Sequence, residues 1–378
     1  MTNIGIRAAF YRGGTSKAIL FNAADLPKDK KIRDRIFLYA MGSPDVYGRQ
    51  LNGMGGGLSS LSKIVIVEPS SRDDADVDYT FIQISVDEPV ADYGGMCGNM
   101  SSAVGPFAID EGMVVAKDGM STVRVYNTNT NKIFHANFEV VDGAAVEQGD
   151  FSIPGVSGSG AKISLDFINP GGAVTGQLLP SGKVYDKLQI DGMGVIKVSL
   201  VDASNPIVFV RAQDVGIKGI ETPAELDRDT ALMERLEIIR RSASVAMGMS
   251  ATTEEAILSN PKIAIISPSQ SFDALGGTAY DKDEFDLSVR LVSMGNFHRA
   301  ITLTGAMCLA VAARIKGTLV NDLVTSASDV RIGNPSGVLS VQADVEMNET
   351  GPFARSVTTF RTQRRIMDGR ILFPSSFL

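Results

Sequence analysis

The chain has 378 residues, of which 44% are hydrophobic and 21% are charged, and its formal net charge is −7 at neutral pH. This length exceeds what one hydrophobic core usually organises, so we expect two domains with a ligand cleft between them. The composition excludes a disordered or collagen-like protein, and an acidic chain without a basic face is not expected to bind nucleic acid.

Short runs of β-branched and apolar residues predict that strands dominate and that much of the sheet is antiparallel. In chain order, the clearest predicted strands cover residues 63–67, 80–86, 122–127, 162–167 and 197–200. Helices are fewer, and their patterns cover residues 30–41, 98–110, 229–247 and 303–316. The third helix has apolar residues at a spacing close to 3.6, which is typical of a helix with one buried face.

A Gly- and Pro-rich stretch, INPGGAVTGQLLPSGK at residues 168–183, is the best candidate for a domain connection. We place the division after it, giving domains of residues 1–183 and 184–378. A faint repeat suggests that the domains are duplicated. Both CGNMSSAVGPFAIDEG at 97–112 and TLTGAMCLAVAARIKG at 302–317 begin with small residues, continue as an apolar helix and end in Gly.

Signals for secretion, membrane insertion or metal binding are absent from the sequence. The N-terminal run MTNIGIRAAFYRGG has no leader pattern and no stretch reaches 18 apolar residues, so we expect a cytoplasmic protein. Cys97 and Cys308 lie in different halves and are expected to be free thiols. His135 and His298 do not form a zinc-binding spacing with each other or with a cysteine, so no metal is expected.

Cys97 lies where the Gly-rich run DYGGMCGNMSSA enters a predicted helix. Backbone N–H groups and the positive end of the helix dipole meet at such a point, which favours a bound carboxylate and lowers the pKa of a thiol. Cys97 is therefore a candidate acid or base, although a lone cysteine is more often buried and inert. Cys308 lies in the apolar run AMCLAVAA, and we interpret it as structural.

Lys63 follows the Gly- and Ser-rich run LNGMGGGLSSLSK and precedes the apolar run IVIV. A lysine desolvated at such a junction has a lowered pKa and can exchange protons near neutral pH, whereas a solvated strand-edge lysine does not.

Further upstream, YRGGTSK at 11–17 offers Thr15, Ser16 and backbone donors. Its spacing does not match a nucleotide-binding loop, and recognition of a small diacid fits it better.

In the second half, the run FDLSVRLVSMGNFHRAITLTGA leads from a strand into the repeated helix. Arg290 and His298 are candidates for binding a second carboxylate, and Thr304 is a further binding candidate. A histidine near a helix start is, however, more often a capping or core residue. The run VDASNPIVF, with Asn205 before Pro206, predicts a turn that enters a strand.

Several motifs occur in order along most of the chain: RGGTSK, GSPD, GMGGGLSSLSK, GGMCGN, DASNP, SMGNFH and a Thr-Gly-Ala helix start. Together they resemble the family of 2-methylaconitate and methylitaconate isomerases, the PrpF type, whose lysine and cysteine are spaced as Lys63 and Cys97 are. The resemblance implies an α+β fold like that of diaminopimelate epimerase. Two similar domains, each a mixed, mostly antiparallel, barrel-like sheet around a central helix, would then flank the site.

Epimerases of that fold use two opposed cysteines, and here the second position falls on Thr302, which cannot take that part. The resemblance therefore implies an isomerase and not a racemase. Lys63 and Cys97 would remove and return a proton on a small unsaturated di- or tricarboxylic acid, without a cofactor. Which of the two removes the proton is left open, and so is homo-oligomerisation.

The expected reaction removes an allylic proton next to a carboxylate and returns a proton two carbons away. Ser16, Gly98, Asn99 and Arg290 are expected to stabilise the dienolate-like intermediate. Conversion of methylitaconate to dimethylmaleate is the first expectation, with 2-methylaconitate cis-trans isomerisation and 4-oxalomesaconate tautomerisation as alternatives. A noncatalytic diacid-binding protein is the alternative from another class. An isomerase like those of phenazine biosynthesis fits less well, because GGMCGN indicates a thiol.

Overall fold

The computed structural model describes residues 3–190, 192–293, 295–326, 328–349 and 351–377. Their contacts divide the chain into two compact units. Unit 1 contains the described residues up to Phe167 and those from Phe360 onward, and unit 2 contains those from Ile168 to Thr359. The position near residue 183 at which we place the sequence-based division lies within unit 2, and the last segment of the chain returns to unit 1.

The helices are α1 (Lys30–Met41), α2 (Ser101–Asp110), α3 (Pro223–Leu226), α4 (Thr230–Ala246) and α5 (Leu303–Arg314). The first strands are β1 (Asn3–Gly13), β2 (Ser16–Asn22), β3 (Lys63–Pro69), β4 (Val77–Ile84), β5 (Ala91–Asp92), β6 (Gly119–Asn127), β7 (Lys132–Val141), β8 (Ala144–Ala145) and β9 (Ile163–Ile168). They are followed by β10 (Asp186–Ile190), β11 (Gly194–Asp202), β12 (Pro206–Arg211), β13 (Lys262–Pro268), β14 (Phe272–Asp273), β15 (Ala279–Tyr280), β16 (Leu287–Ser293), β17 (Asn296–Phe297), β18 (Val330–Asn334), β19 (Gly337–Asn348), β20 (Gly351–Arg361) and β21 (Gln363–Pro374). Within the described ranges, no helix is long and apolar enough to span a membrane.

The two units have the same strand order and the same strand directions. In unit 1 the order is β21, β1, β2, β3, β4, β6, β7, β9, and neighbours are antiparallel except for the parallel pairs β2–β3 and β4–β6. In unit 2 the order is β10, β11, β12, β13, β16, β18, β19, β20, and the parallel pairs are β12–β13 and β16–β18. The predicted α+β fold of two similar, mostly antiparallel domains is thus confirmed.

An apolar helix packs on the sheet of each unit. Residues Ser101 to Ile109 of α2 are buried, and α2 contacts β1, β3, β6 and β7. Residues Gly305 to Ala313 of α5 are buried, and α5 contacts β11, β12, β18 and β19. A helix that is apolar on all sides is stable only where strands surround it, so α2 and α5 are the predicted central helices.

In unit 1, α1 covers the sheet face that α2 does not. Ile64 of β3 belongs to one core with Phe37 of α1, whereas Tyr11 of β1 packs edge-on against Phe107 of α2, with ring centres 6.0 Å apart. Successive strand residues point to opposite faces. Lys63, which precedes Ile64, therefore points to the face covered by α2.

Unit 2 repeats this arrangement with α4 as its outer helix. Apolar residues of α4 recur every three or four positions and pack with Ile263 of β13; they include Leu232, Leu236, Ile239 and Ala243. Asp229 caps the helix by accepting a hydrogen bond from the N–H of Leu232. By the same alternation, Lys262, which precedes Ile263, points away from α4.

Candidate active site

Lys63 is held at the first position of β3 by its two neighbouring strands. It pairs with Ala18 of β2 and with Gln83 of β4, and only 7% of it is exposed. Its Nζ donates a hydrogen bond of 2.6 Å to Oε1 of Gln83 and lies 5.0 Å from the ring centre of Phe81. Gln83 is itself fixed, because its Nε2 donates to the carbonyl of Ser62 at 2.9 Å.

The surroundings of Lys63 disfavour its charged form. Burial lowers its pKa, and a charge on nearby Cys97 would raise it. In the part of the chain that the structure describes, no carboxylate forms an ion pair with Lys63. The hydrogen bond that the described residues provide to its ammonium comes from a neutral amide oxygen, so a neutral amine, the form able to accept a proton, is more accessible than in water.

Cys97 is a half-buried free thiol on the segment that leads into α2. Its carbonyl accepts hydrogen bonds from the N–H and Oγ of Ser101, at 3.0 and 3.2 Å, and from the hydroxyl of Tyr79 at 3.3 Å. Burial raises the pKa of Tyr79, so this phenol remains a donor. These hydrogen bonds hold the backbone of Cys97 in place, and its thiol is close enough to Lys63 that a charge on it would raise the pKa of the lysine.

The helix after Cys97 begins at Ser101, later than the predicted start at residue 98, and residues 98–100 form a turn. In this turn, the backbone N–H groups of Gly98 and Asn99 donate to no protein group among the described residues. Both are therefore available to an oxyanion, as the Gly-rich sequence suggested.

Asn99 connects the predicted binding loop to a second cation. Its Nδ2 donates to Oγ1 of Thr15 at 2.9 Å and to Oγ of Ser16 at 3.4 Å, and its Oδ1 accepts from Nε of Arg361 at 3.2 Å. Gly14 makes this approach possible, because it has φ +50° and an added Cβ would lie 2.5 Å from Oδ1 of Asn99.

Arg361 is a buried cation that sequence analysis missed. Only 8% of it is exposed, and its Nη1 donates to the carbonyl of Phe360 at 2.7 Å. Burial lowers its pKa to about 10, and a charge on Cys97 would raise it, so the guanidinium stays charged at neutral pH near the thiol. In TTFRTQRR no signal distinguishes Arg361 from the arginines that follow. Gln83 was missed for a similar reason, since its role depends on pairing with β3.

Arg290, a predicted carboxylate ligand in unit 2, is buried in the protein interior. Its Nε donates to the carbonyl of Glu221 at 2.7 Å and its Nη1 to the carbonyl of Val289 at 2.9 Å. Burial lowers its pKa to about 10. The next residue, Leu291, lies against Gly305 of α5, so Arg290 points to the opposite face of the sheet. Its role in substrate binding stays a prediction, with no support from this placement.

His298 and Thr304, the other predicted binding residues of unit 2, lie near α5. The N–H of His298 donates to the carbonyl of Leu291 at 2.8 Å, and burial and then the charge of Lys262 lower the pKa of its imidazole. Thr304 is half-buried in the first turn of α5. Thr302 caps this helix, accepting from the N–H of Gly305 at 3.1 Å, which is a structural role.

Unit 1 therefore brings together a buried lysine, a half-buried thiol, a buried arginine and several hydrogen-bond donors. Of the predicted residues it unites Thr15, Ser16, Lys63, Cys97 and Asn99. Among the described residues, no group of three or more His, Cys, Asp or Glu side chains could hold a metal ion. The arrangement fits proton transfer on an anionic substrate.

Known proteins resemble this chain over nearly its whole length. A family model described as PrpF protein matches residues 3–374. The 3-methylitaconate isomerase of Eubacterium barkeri is 42% identical over 97% of this chain and 96% of that protein. The 2-methyl-aconitate isomerase of Shewanella oneidensis is 36% identical over 98% and 97%, respectively. The crystal structure of methylitaconate-delta-isomerase matches with a TM-score of 0.92 and 40% identity, covering 100% of this chain and 97% of that one.

Proposed function

Because the chain belongs to the PrpF protein family, we propose that it is an isomerase that converts methylitaconate to dimethylmaleate, with Lys63 and Cys97 as its acid–base pair. The observation that carries the substrate assignment is the 42% identity to 3-methylitaconate isomerase over 97% of the chain. The local chemistry of unit 1 supports it, because Lys63 is desolvated beside a thiol and lacks a carboxylate partner among the described residues.

In the proposed reaction, the neutral amine of Lys63 removes the proton from the substrate carbon that bears a methyl group and a carboxylate. The electron pair of the broken C–H bond is delocalised over the neighbouring double bond and carboxylate as a dienolate. The thiol of Cys97 then donates its proton to the terminal methylene carbon, which becomes a methyl group. The double bond now joins the two carbons that bear the carboxylates.

The cycle closes by proton transfer from the ammonium of Lys63 to the thiolate of Cys97. One proton leaves the substrate and one enters it, so the reaction needs neither an oxidant nor a reductant. The lowered pKa of Lys63 supports its assignment as the base, since a larger fraction of the amine is neutral. This order of proton transfers, which the sequence leaves open, is part of the proposal.

Charge on the dienolate would be stabilised by groups that the fold holds in place. The guanidinium of Arg361 is fixed by Asn99 and Phe360, and the N–H groups of Gly98 and Asn99 are available as donors. Donors fixed before the reaction stabilise a developing charge without further reorganisation. Thr15 and Ser16, which hold the amide of Asn99, would keep it in position.

A second candidate substrate is 2-methylaconitate, because a relative named as its isomerase is 36% identical over 98% of this chain. The same acid–base pair serves either acid, since both carry an allylic proton next to a carboxylate. The proposed location is the cytoplasm, with which the two free thiols agree.

The test is turnover of both acids in deuterated water, followed by proton NMR. Wild-type protein is compared with Lys63→Met, with Cys97→Ser and with the control Lys28→Met, which alters an exposed lysine of the same unit. Loss of either acid–base residue should lower kcat about 10²- to 10⁴-fold, and the control should keep wild-type activity.

The outcomes separate the alternatives. Deuterium incorporation into one acid identifies the substrate. Wild-type turnover by both active-site variants would place the chemistry on other residues. Absence of exchange with both acids, combined with a rise in melting temperature when they are added, would replace the isomerase by the diacid-binding alternative.

A further inference from the structure

Strand β4 carries side chains that hold both members of the acid–base pair. Tyr79 donates its hydroxyl to the carbonyl of Cys97, and Gln83 accepts from the ammonium of Lys63. Phe81 lies between them in the strand, and its ring centre is 5.0 Å from Nζ of Lys63. Alternate residues of a strand share one face of the sheet, so all three lie on the side of Lys63. The position of β4 therefore affects Lys63 and Cys97 together.

One edge of β4 has a gap in its strand pairing. On this edge β6 pairs with residues 77–79, where Tyr79 lies opposite Asn127, and β5 pairs with residues 83–84. Within the described part of the chain, residues 80–82 have no partner strand on this edge. Backbone N–H and C=O groups at such a gap need partners from elsewhere in the protein.

The side-chain amide of Asn129, in the turn between β6 and β7, fills this gap. Its Oδ1 accepts from the N–H of Phe81 at 2.8 Å, and its Nδ2 donates to the carbonyl of Phe81 at 2.9 Å. The amide thus makes the two hydrogen bonds that a residue of a neighbouring strand would make. Its Nδ2 also donates to the carbonyl of Tyr93 at 2.8 Å, and its Oδ1 accepts from Nδ2 of Asn127 at 3.3 Å. Both of its N–H donors are therefore used within the protein.

Tyr93 begins the Gly-rich segment that leads to Cys97. The two glycines between these residues leave the backbone with few restrictions of its own. The carbonyl of Tyr93 is bound by Asn129, and the carbonyl of Cys97 is bound by Tyr79. Since Asn129 is attached to β4 and Tyr79 belongs to it, both ends of the segment are held against the strand that supports the lysine.

We propose that Asn129 is a positioning residue that sets the separation between the amine of Lys63 and the thiol of Cys97, by tying β4 to the Gly-rich segment at Tyr93. In the proposed reaction these two groups act on different carbons of one substrate, so their separation decides whether removal of a proton is followed by its return at the second carbon. The inference rests on the proposed function where it concerns turnover. Where it concerns the exposure of the thiol, it is independent of the reaction.

Two variants test the role of Asn129, and a third is the matched control. Asn129→Asp keeps the shape and the acceptor for Phe81 but places a carboxylate oxygen against two carbonyls, whereas Asn129→Ala removes all four hydrogen bonds without adding a charge. Asn131→Asp makes the same change as the first variant in the same turn. Asn131 is exposed and its Oδ1 accepts from the hydroxyl of Tyr126, a hydrogen bond that aspartate keeps.

The first readout is alkylation of the folded protein by iodoacetamide, followed by mass spectrometry. Cys97 is half-buried and Cys308 is fully buried, so alkylation of Cys308 reports global unfolding. Both Asn129 variants should alkylate Cys97 roughly 3- to 10-fold faster than wild type, because local opening of the segment exposes the thiol. Alkylation of Cys308 should stay slow, and Asn131→Asp should behave as wild type. A wild-type rate at Cys97 in both variants, or a rise that Cys308 shares, would overturn the proposal.

The second readout is turnover in deuterated water, which compares two rates on the same substrate. Deuterium exchange at the carbon attacked by Lys63 requires only that residue, whereas isomerisation also requires Cys97. A displaced thiol should raise the ratio of exchange to isomerisation about tenfold or more. A smaller folded fraction lowers both rates equally, so an unchanged ratio would count against Asn129 as a positioning residue. If wild-type protein neither exchanges nor isomerises either acid, the proposed function fails, and the alkylation rates still decide the role of Asn129.

Discussion

Replacing Gly14 by alanine tests whether Asn99 positions Arg361 in unit 1. The added Cβ would lie 2.5 Å from Oδ1 of Asn99 and 3.2 Å from Cδ of Arg361, so it presses on both partners of one hydrogen bond. Ordinary contacts begin near 3.4 Å, and the amide of Asn99 must therefore move by about 0.9 Å, the difference between 3.4 and 2.5 Å. A shift of that size breaks the bond from Arg361.

A hydrogen bond made by a charged group contributes about 1.5–3 kcal/mol. If the dienolate depends on the position of Arg361, kcat/KM on the substrate should fall roughly 10- to 100-fold in Gly14→Ala. The positive φ adds a separate backbone cost of about 1–2 kcal/mol, which lowers the melting temperature by a few degrees and does not by itself affect turnover.

Gly48→Ala is the matched control, since Gly48 also has a positive φ, +65°, and an added Cβ meets nothing within 4 Å. Both variants should lose similar stability in a thermal melt, and only Gly14→Ala should lose activity. Equal kcat/KM values for the two variants, measured by NMR under saturating and limiting substrate, would refute the role given to Asn99 and Arg361.

Two further predictions concern titration. The oxygen of Gln83 stabilises the ammonium of Lys63, so Gln83→Leu should lower the pKa of Lys63 further and move the rising limb of the pH profile of kcat to lower pH; a shift to higher pH would contradict Lys63 as the base. The folded state lowers the pKa of His298, so the unfolded chain binds its proton first, and stability should fall as pH drops through the unfolded value of about 6.5. Denaturant titrations at pH 7.5 and 5.5 measure this, and the loss should be smaller in His298→Gln.

Local patterns predicted the helices better than they predicted the site. The helices α1, α4 and α5 lie within two residues of their predicted bounds, because apolar periodicity is a local property. Cys97 could be selected from its Gly-rich surroundings, whereas the role of Lys63 was predicted only through the family resemblance. The contact between Asn99 and Arg361, however, joins residues 262 positions apart, and no local pattern encodes such a pairing.

Arg290 and Lys262 show a second limit, which concerns the faces of a strand. Arg290 was predicted to bind a carboxylate because it is a cation near the repeated helix in the sequence. In the structure, its side chain points to the sheet face opposite α5. Lys262 received no prediction, although KIAIISP nearly repeats the KIVIVEP run that begins with Lys63. A comparison of the two halves strand by strand, beyond the central helices, would have found that the two lysines begin corresponding strands.

The pairing of β1 with β21 affects the order in which parts of the protein can fold during synthesis. Asn3 lies opposite Pro374 and Gly13 opposite Gln363, so β1 is synthesised long before its partner strand β21. At a translation rate of about 5–20 residues per second, roughly 20–70 s pass between the synthesis of β1 and that of β21. During this time β1 has an unpaired edge. Unit 2 is continuous in the chain and can fold during that interval. Arg361 directly precedes β21, so a nascent chain acquires this cation near Cys97 only after unit 2 has been synthesised.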